Sequence, residues 1–402
     1  MSPMPRRAGL IAPAALVCLA LVLAGCGRTA DEEPVLTPVD TICKAAGGDG
    51  PKVGIAYDVG GRNDRGINDA AFAGLSEAVD ELDVTCLEGE AADAEPDSAR
   101  VDRLRYFADN GATVIVAIGT RYVRAVDAVS KSYPRVQFAL IDAVAPKREF
   151  ARNVALLTFV PEQAGFLAGV TAAVKTKTGK VAFIGAPPES VLEPAGPYEA
   201  GFRAGVEAAT GGASATPTPT ASGAGEATPT PSPAPSAASS ARSSADEPTV
   251  EVLAKHLKRD TPSPGKPEGA NKTATGRIED GADVLFGSPG VSQRALSNAA
   301  RKADGQTWVI GIGGDQFQSA TEDQKPHILT SVVKRFDTVT YDFIESVDEG
   351  DPLTGRHSYG IDEDGLDIVT SGGFLTKRNL AVIEALKDRV ESGNIEVPDS
   401  LD

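Results

Sequence analysis

The chain is short of the residues that most often carry chemistry. Its three histidines, His256, His327 and His357, are scattered through 402 residues. None stands at a metal-ligand interval such as HxxxH from another, which excludes a histidine-built metal centre of that kind. No GxSxG elbow and no GxxxxGK[ST] loop occurs, so the motifs of a serine hydrolase and of a P-loop nucleotidase are absent. Gly60-Gly61 and Gly311-Ile312-Gly313-Gly314 follow apolar runs, but neither reads GxGxxG. Positive charge is scarce as well: 39 Lys and Arg stand against 56 Asp and Glu, a formal charge of −17. That balance argues against a nucleic-acid binder and against charge-driven docking on an anionic membrane. Long apolar runs are also missing. The stretch Leu10 to Leu23 falls short of the ~20 residues that a membrane span needs.

That short stretch reads as part of an export signal, with a transmembrane helix as the alternative. Arg6 and Arg7 precede it, and Leu23-Ala24-Gly25-Cys26 follows it. A charged start, a short apolar core and small residues before a cleavage point mark a secretory leader. Leu-Ala-Gly-Cys resembles the lipobox of bacterial lipoproteins, and the resemblance makes Cys26 the acylated first residue of the mature chain. Acyl chains at one end hold a soluble body at a membrane, facing the extracytoplasmic side. Four cysteines then reduce to two, Cys43 and Cys86. An exported compartment permits a disulfide. Cys43 lies shortly before the first expected strand and Cys86 in the second, so a Cys43–Cys86 bond is expected. Two free thiols are the alternative.

The body alternates short apolar strands with helices. Val53–Tyr57, Val84–Leu87, Thr113–Ile118, Val136–Ile141 and Val154–Phe159 read as strands, separated by helical patterns. A second series follows, through Lys180–Ile184, Val250–Ala254, Asp283–Phe286, Trp308–Ile312 and Ile328–Val333. Apolar strands alternating with helices imply parallel sheets covered on both faces. Two such series imply an α/β protein of two doubly wound lobes. One segment breaks the pattern: between Val206 and Val250 there is no Val, Leu, Ile, Met or aromatic residue. Such a composition cannot offset its ordering entropy and reads as a disordered insertion. A second loop, Asp260 to Thr275, is expected from its Pro, Gly and Lys. The expected organisation is a signal at 1–25, a tether at 26–50 and a first lobe at 51–157. A second lobe follows at 158–312 with the insertion at 210–248. Returning crossovers and C-terminal elements shared by both lobes occupy 313–402.

Polar residues gather where strands end. Asp58 follows the first strand, Thr120 and Arg121 the third, Asp315 and Gln316 the Trp308 strand, and Lys334 the last. In open α/β sheets the carboxyl ends of strands line the ligand crevice. A set of such residues from two lobes points to a binding cleft rather than to caps alone, although Asp is also common at helix starts.

Several segments resemble the basic membrane protein family of ABC-transporter substrate-binding lipoproteins, which includes purine nucleoside receptors. They are Val53 to Gly61 with Asn63 to Asn68, Phe159 to Gly169, Tyr198 to Gly205, Gly281 to Phe286, Val309 to Gln316 and Leu329 to Arg335. The resemblance implies a type I periplasmic-binding-protein fold, two lobes joined by three crossovers that close on a ligand. It implies that Asp58, Asn68, Gly290, Asp315 and Lys334 contact the ligand and that Tyr198 stacks on a base. Thr120 and Gln316 join the expected site from their strand-end positions. The chain departs from the family pattern at Ile67, where a second stacking ring is expected, and at Gly313, where a ribose-binding aspartate is expected. Arg121 and Arg124 lie where receptors often carry a carboxylate, which opens an anionic ligand as an alternative. The implied function is capture of a small polar solute, a nucleoside first, for an ABC permease. No cofactor, metal or covalent step is expected, and the body is expected to be a monomer. A sensing or interaction lipoprotein not coupled to transport is the alternative.

Overall fold

The computed structural model describes residues 43, 48–145, 148–187, 194–211, 249–258 and 267–401. Cys26, most of the expected tether and positions 212–248 of the insertion lie outside the described residues. The described residues belong to one compact unit that holds two six-stranded sheets.

The first sheet contains β1 (Lys52–Tyr57), β2 (Thr85–Glu90), β3 (Val114–Ile118), β4 (Gln137–Ile141), β5 (Val154–Phe159) and β11 (Gly355–Tyr359). Their order is β11-β5-β4-β3-β1-β2, and every pairing is parallel. The second contains β6 (Lys180–Gly185), β7 (Glu251–His256), β8 (Val284–Gly287), β9 (Trp308–Gly313), β10 (Ile328–Lys334) and β12 (Leu366–Ile368). Their order is β12-β10-β9-β8-β6-β7, with β12 antiparallel at the edge.

Strand periodicity sorts the core into layers. On β3, Val114, Val116 and Ile118 face one core and Ile115 and Ala117 the other. The second face packs on Leu104 and Phe107 of helix α2 (Asp97–Asp109) and Val126 and Val129 of helix α3 (Val123–Ser130). A strand covered on both sides can be apolar at every position, and β3 is buried throughout. The second sheet repeats this design. Val181 and Phe183 of β6 face one way, and Ala182 and Ile184 face the other.

The chain passes between the sheets three times. Helix α4 (Pro161–Lys175) leads from β5 to β6, and helix α9 (Phe336–Asp348) leads from β10 to β11. Residues 360–365 join β11 to β12. Backbone bonds lace these passages: the Val160 N–H donates to the Tyr359 carbonyl (3.1 Å) and the Arg335 N–H to the Gly365 carbonyl (2.9 Å). The Ile361 N–H donates to Gln163 Oε1 at 2.6 Å. In the second lobe, α4 lies almost in backbone contact with helix α5 (Ala195–Ala209). An ideal Cβ on Gly165 would fall 2.3 Å from the Tyr198 carbonyl oxygen, and one on Gly201 would fall 1.8 Å from that of Glu162. Any side chain at these places would push the helices apart.

Cys43 and Cys86 are bonded, with Cα atoms 4.8 Å apart. The bond ties the chain before β1 to β2. A loop of 43 residues stabilised this way gains ~2–4 kcal/mol through the unfolded chain.

One local expectation is overturned, and one strand had not been expected. Glu268–Glu279, most of which lies in the expected Asp260–Thr275 loop, is helix α6. Its buried face is Ala270 and Ala274, spaced for a helix but too small to stand out as an apolar stripe. The edge strand β11, Gly-Arg-His-Ser-Tyr, is polar and largely exposed, so no alternation marks it.

Candidate functional site

The loop after β1 is wired by its own carboxylates. Asp64 Oδ1 accepts from the Gly66 N–H (2.7 Å), and Oδ2 accepts from the Asn68 N–H (3.1 Å) and side-chain amide (3.0 Å). These bonds satisfy donors at the start of helix α1 (Ile67–Glu81), which have no partner within the helix. Asn68 is fully buried. Its Oδ1 accepts from the Asp58 N–H at 3.0 Å, and its amide also reaches the Asp58 carbonyl at 3.4 Å. Asn68 therefore holds the backbone of Asp58 in place, and its polar atoms are used locally.

The Asp58 carboxylate lies against the end of β3. An ideal Cβ on Gly119 would fall 2.9 Å from Asp58 Oδ2, and Gly119 has φ +90°, so only glycine suits both the turn and the contact. Asp58 Oδ1 is enclosed and has no hydrogen-bond partner among the described residues. A buried acceptor of this kind costs ~1–3 kcal/mol, and more when charged, unless something donates to it. Below it, the Tyr57 hydroxyl donates to Glu88 at 2.8 Å and Arg62 pairs with Glu88 at 3.1 Å. Burial pushes the Glu88 carboxyl up, opposed by Tyr57 and Arg62.

The remaining strand ends of the first sheet carry Thr120 and Asp142. Thr120 Oγ1 accepts from the Val144 N–H at 3.0 Å. Asp142 follows β4 in the left-handed region (φ +56°), and its Oδ1 lies 2.7 Å from Lys334 Nζ. Lys334 ends β10 of the other sheet, is only 5% exposed, and lies 5.4 Å from the centre of the Phe159 ring. This ion pair joins the carboxyl ends of the two sheets. Asp142 was not among the expected site residues, yet the rule that selected Asp58 would have selected it, since it directly follows the apolar run Val136–Ile141.

In the second lobe, Gly290 lies after β8 with φ +87°. Asp315 caps the short helix α8 (Gln316–Ser319): its Oδ1 accepts from the Phe317 N–H at 3.0 Å, and its Oδ2 accepts from the Ser371 hydroxyl. The Gln316 N–H donates to Ser331 Oγ at 3.0 Å. Both residues thus shape the β9 loop. Tyr198, in the first turn of α5, is fully buried. The lobes meet again at the loops after β1 and β9. Ile67 Cγ2 lies 3.9 Å from an ideal Cβ on Gly313, and Arg65 donates to the Gln318 carbonyl at 3.1 Å. Arg124 points away from the strand ends, 78% exposed and paired with Asp97 at 3.1 Å. Arg121 is exposed.

A cavity of about 660 Å³ lies elsewhere, where Asp342 and Glu345 of α9 and Glu349 just beyond its end face Arg356, His357 and Tyr359 of β11. The groups brought together from both sheets are at the strand ends instead. The strand ends are the candidate site, since crevices of open α/β sheets lie there.

Two open sheets, three crossings between them and facing strand carboxyl ends define a type I periplasmic binding protein. Solute-binding proteins of ABC transporter systems have this fold. One from Aeropyrum pernix K1 aligns with 88% of this chain and 94% of its own at TM-score 0.58 and 22% identity. One from Conexibacter woesei aligns with 87% and 99% at TM-score 0.62 and 18% identity. Residues 52–213 and 257–400 match the Bmp family, described as ABC transporter substrate-binding protein PnrA-like. The chain belongs to that family, whose members bind a substrate for a transporter permease. It is 26% identical to the CD4+ T-cell-stimulating antigen of Listeria innocua, over 98% of this chain and 99% of that protein. It is also 26% identical to the ABC transporter nucleoside-binding protein BmpA of Lactococcus lactis, over the same shares. Basic membrane protein D of Borreliella burgdorferi is 23% identical over 84% of this chain and 85% of its own.

Proposed function

We propose that this chain is a lipid-anchored, extracytoplasmic receptor that captures an uncharged nucleoside and presents it to an ABC permease. The observation that carries the ligand class is the Asp58 carboxylate, enclosed at the strand ends with Oδ1 unpartnered among the described residues. A nucleoside supplies what it lacks, a hydroxyl or an exocyclic N–H as donor. The nearby cation does not favour an anion: Lys334 is matched by Asp142 at 2.7 Å. Arg124 is turned outward to Asp97, which removes support for an anionic ligand. A phosphate brought beside Asp58 would add an uncompensated buried charge. The likeness to a nucleoside-binding relative supports the same reading. Tyr198 offers a ring for the base, and Ile67 an apolar wall in place of a second ring. Binding free energy drives closure of the lobes, with no bond made or broken.

The anchor rests on the lipobox-like Leu23-Ala24-Gly25-Cys26. Among the described residues no helix is long and apolar enough to cross a membrane. Metabolic labelling with a fatty acid tests this part. Label in the wild type that disappears in Cys26→Ala supports acylation at Cys26, and equal label in both contradicts it. Tyr198→Ala tests the stacking. It should weaken nucleoside binding by ~1–3 kcal/mol, read by calorimetry, and an unchanged affinity would remove Tyr198 from the pocket.

A further inference from the structure

Where the loops after β1 and β9 meet, the lobes touch through backbone. An ideal Cβ on Gly314 would fall 2.8 Å from Gly66 Cα and 3.2 Å from the Gly66 carbonyl carbon. Real Cβ atoms do not approach that closely, and the obstructing atoms are main chain, which cannot rotate away as a flexible side chain can. Gly314 itself is not in the left-handed region. Alanine there is compatible with the backbone of the second lobe, and its clash arises only against the first lobe. Gly66 is held rigidly, since its N–H donates to Asp64 Oδ1 at 2.7 Å. Beside this contact Ile67 covers Gly313, and Arg65 reaches the Gln318 carbonyl at 3.1 Å.

We propose that Gly66 and Gly314 form the closure stop of the cleft, and that Gly314 is a positioning residue that controls how long a ligand is retained. The inference rests on the reading that the lobes close on a ligand. The missing side chain at 314 lets the closed state form. Any side chain at 314 holds the lobes apart at the rim, so the ligand leaves faster while its entry is unaffected. Conformational gating of this kind changes release more than encounter.

The test needs one readout that does not depend on the ligand. Arg65→Cys and Gln318→Cys, both at exposed positions, place thiols on opposite lobes of the full-length chain. A short bismaleimide joins them each time the cleft closes. Adding Gly314→Ala should slow cross-linking at least about fivefold, with the melting temperature unchanged. Gly276→Ala is the control, because its ideal Cβ meets no atom within 4 Å, and it should leave the rate as it was. In the chain without added cysteines, Gly314→Ala should raise the adenosine dissociation rate about tenfold and leave the association rate alone. Equal cross-linking with and without Gly314→Ala overturns the closure stop. Slowed cross-linking with no adenosine binding to either protein upholds the closure stop and excludes adenosine as the ligand.

Discussion

At the residue scale, a side chain can meet a ligand only with polar atoms not already used inside the protein. Asn68 spends its oxygen on the Asp58 N–H and its amide on Asp64 and the Asp58 carbonyl. Asp315 spends both oxygens, one on the Phe317 N–H and one on Ser371. Among the described residues, Asp58 Oδ1 has no partner. Truncation of Asp58 should therefore cost binding directly. Asp58→Ala is expected to weaken a nucleoside by ~1.5–3 kcal/mol, the range for a hydrogen bond to a charged group, with no fall in the melting temperature of the ligand-free protein. Unchanged affinity in calorimetry would show that the open oxygen faces something other than the ligand. The sequence could show that Asp58 and Asp315 follow strands. It could not show that one carboxylate is consumed by a helix cap while the other is open, because that depends on Ser371, 56 positions away. Asp142 was legible by the same strand-end rule. Its pairing with Lys334 was not, since it joins residues 192 positions apart on different sheets.

At the element scale, the short apolar strands were legible because a parallel sheet buries both faces, so that a run such as Val114–Ile118 needs no polar position. Helix α6 and strand β11 were not, for opposite reasons. The core face of α6 is alanine, and β11 is a polar edge held mainly by backbone bonds to β5. The element that matters most for the site is the start of α1. Gly66, its capping position, has no side chain to cap with, and Asp64 takes that work from two residues earlier. Asp64→Ala should cost ~0.5–2 kcal/mol of stability, the range for a lost helix cap. It should also weaken ligand binding, because Asn68 and through it Asp58 lose their support. A full stability loss with intact affinity would mean that the loop keeps its shape without Asp64.

At the scale of the whole molecule, three passages connect the two lobes, and acidic groups crowd around α9. Asp342 of α9 is pushed up to about 6, first by burial and then by Glu345, with Asp364 and Glu77 adding to this and a hydrogen bond from Tyr359 opposing it. A carboxyl raised in the folded state binds its proton more tightly there than in the unfolded chain. The stability it contributes is fully present below its ordinary value of 3.8 and is lost as pH rises through about 6. Asp342→Asn, which stays neutral, should therefore raise the melting temperature at pH 7–8 and do little at pH 4. Equal shifts at both pH values would show that the ionised form carries no penalty in the fold.

Calorimetry tests the nature of the ligand. The protein is unfolded and refolded to remove bound solute, then titrated with purine and pyrimidine nucleosides and with their 5′-monophosphates. The account predicts saturable micromolar or tighter binding of at least one nucleoside, and binding of its monophosphate weaker by at least about tenfold, since the phosphate meets Asp58 with the Lys334 charge already matched. Tighter binding of the monophosphate, or no heat from any member of the panel with a folded protein, would contradict it.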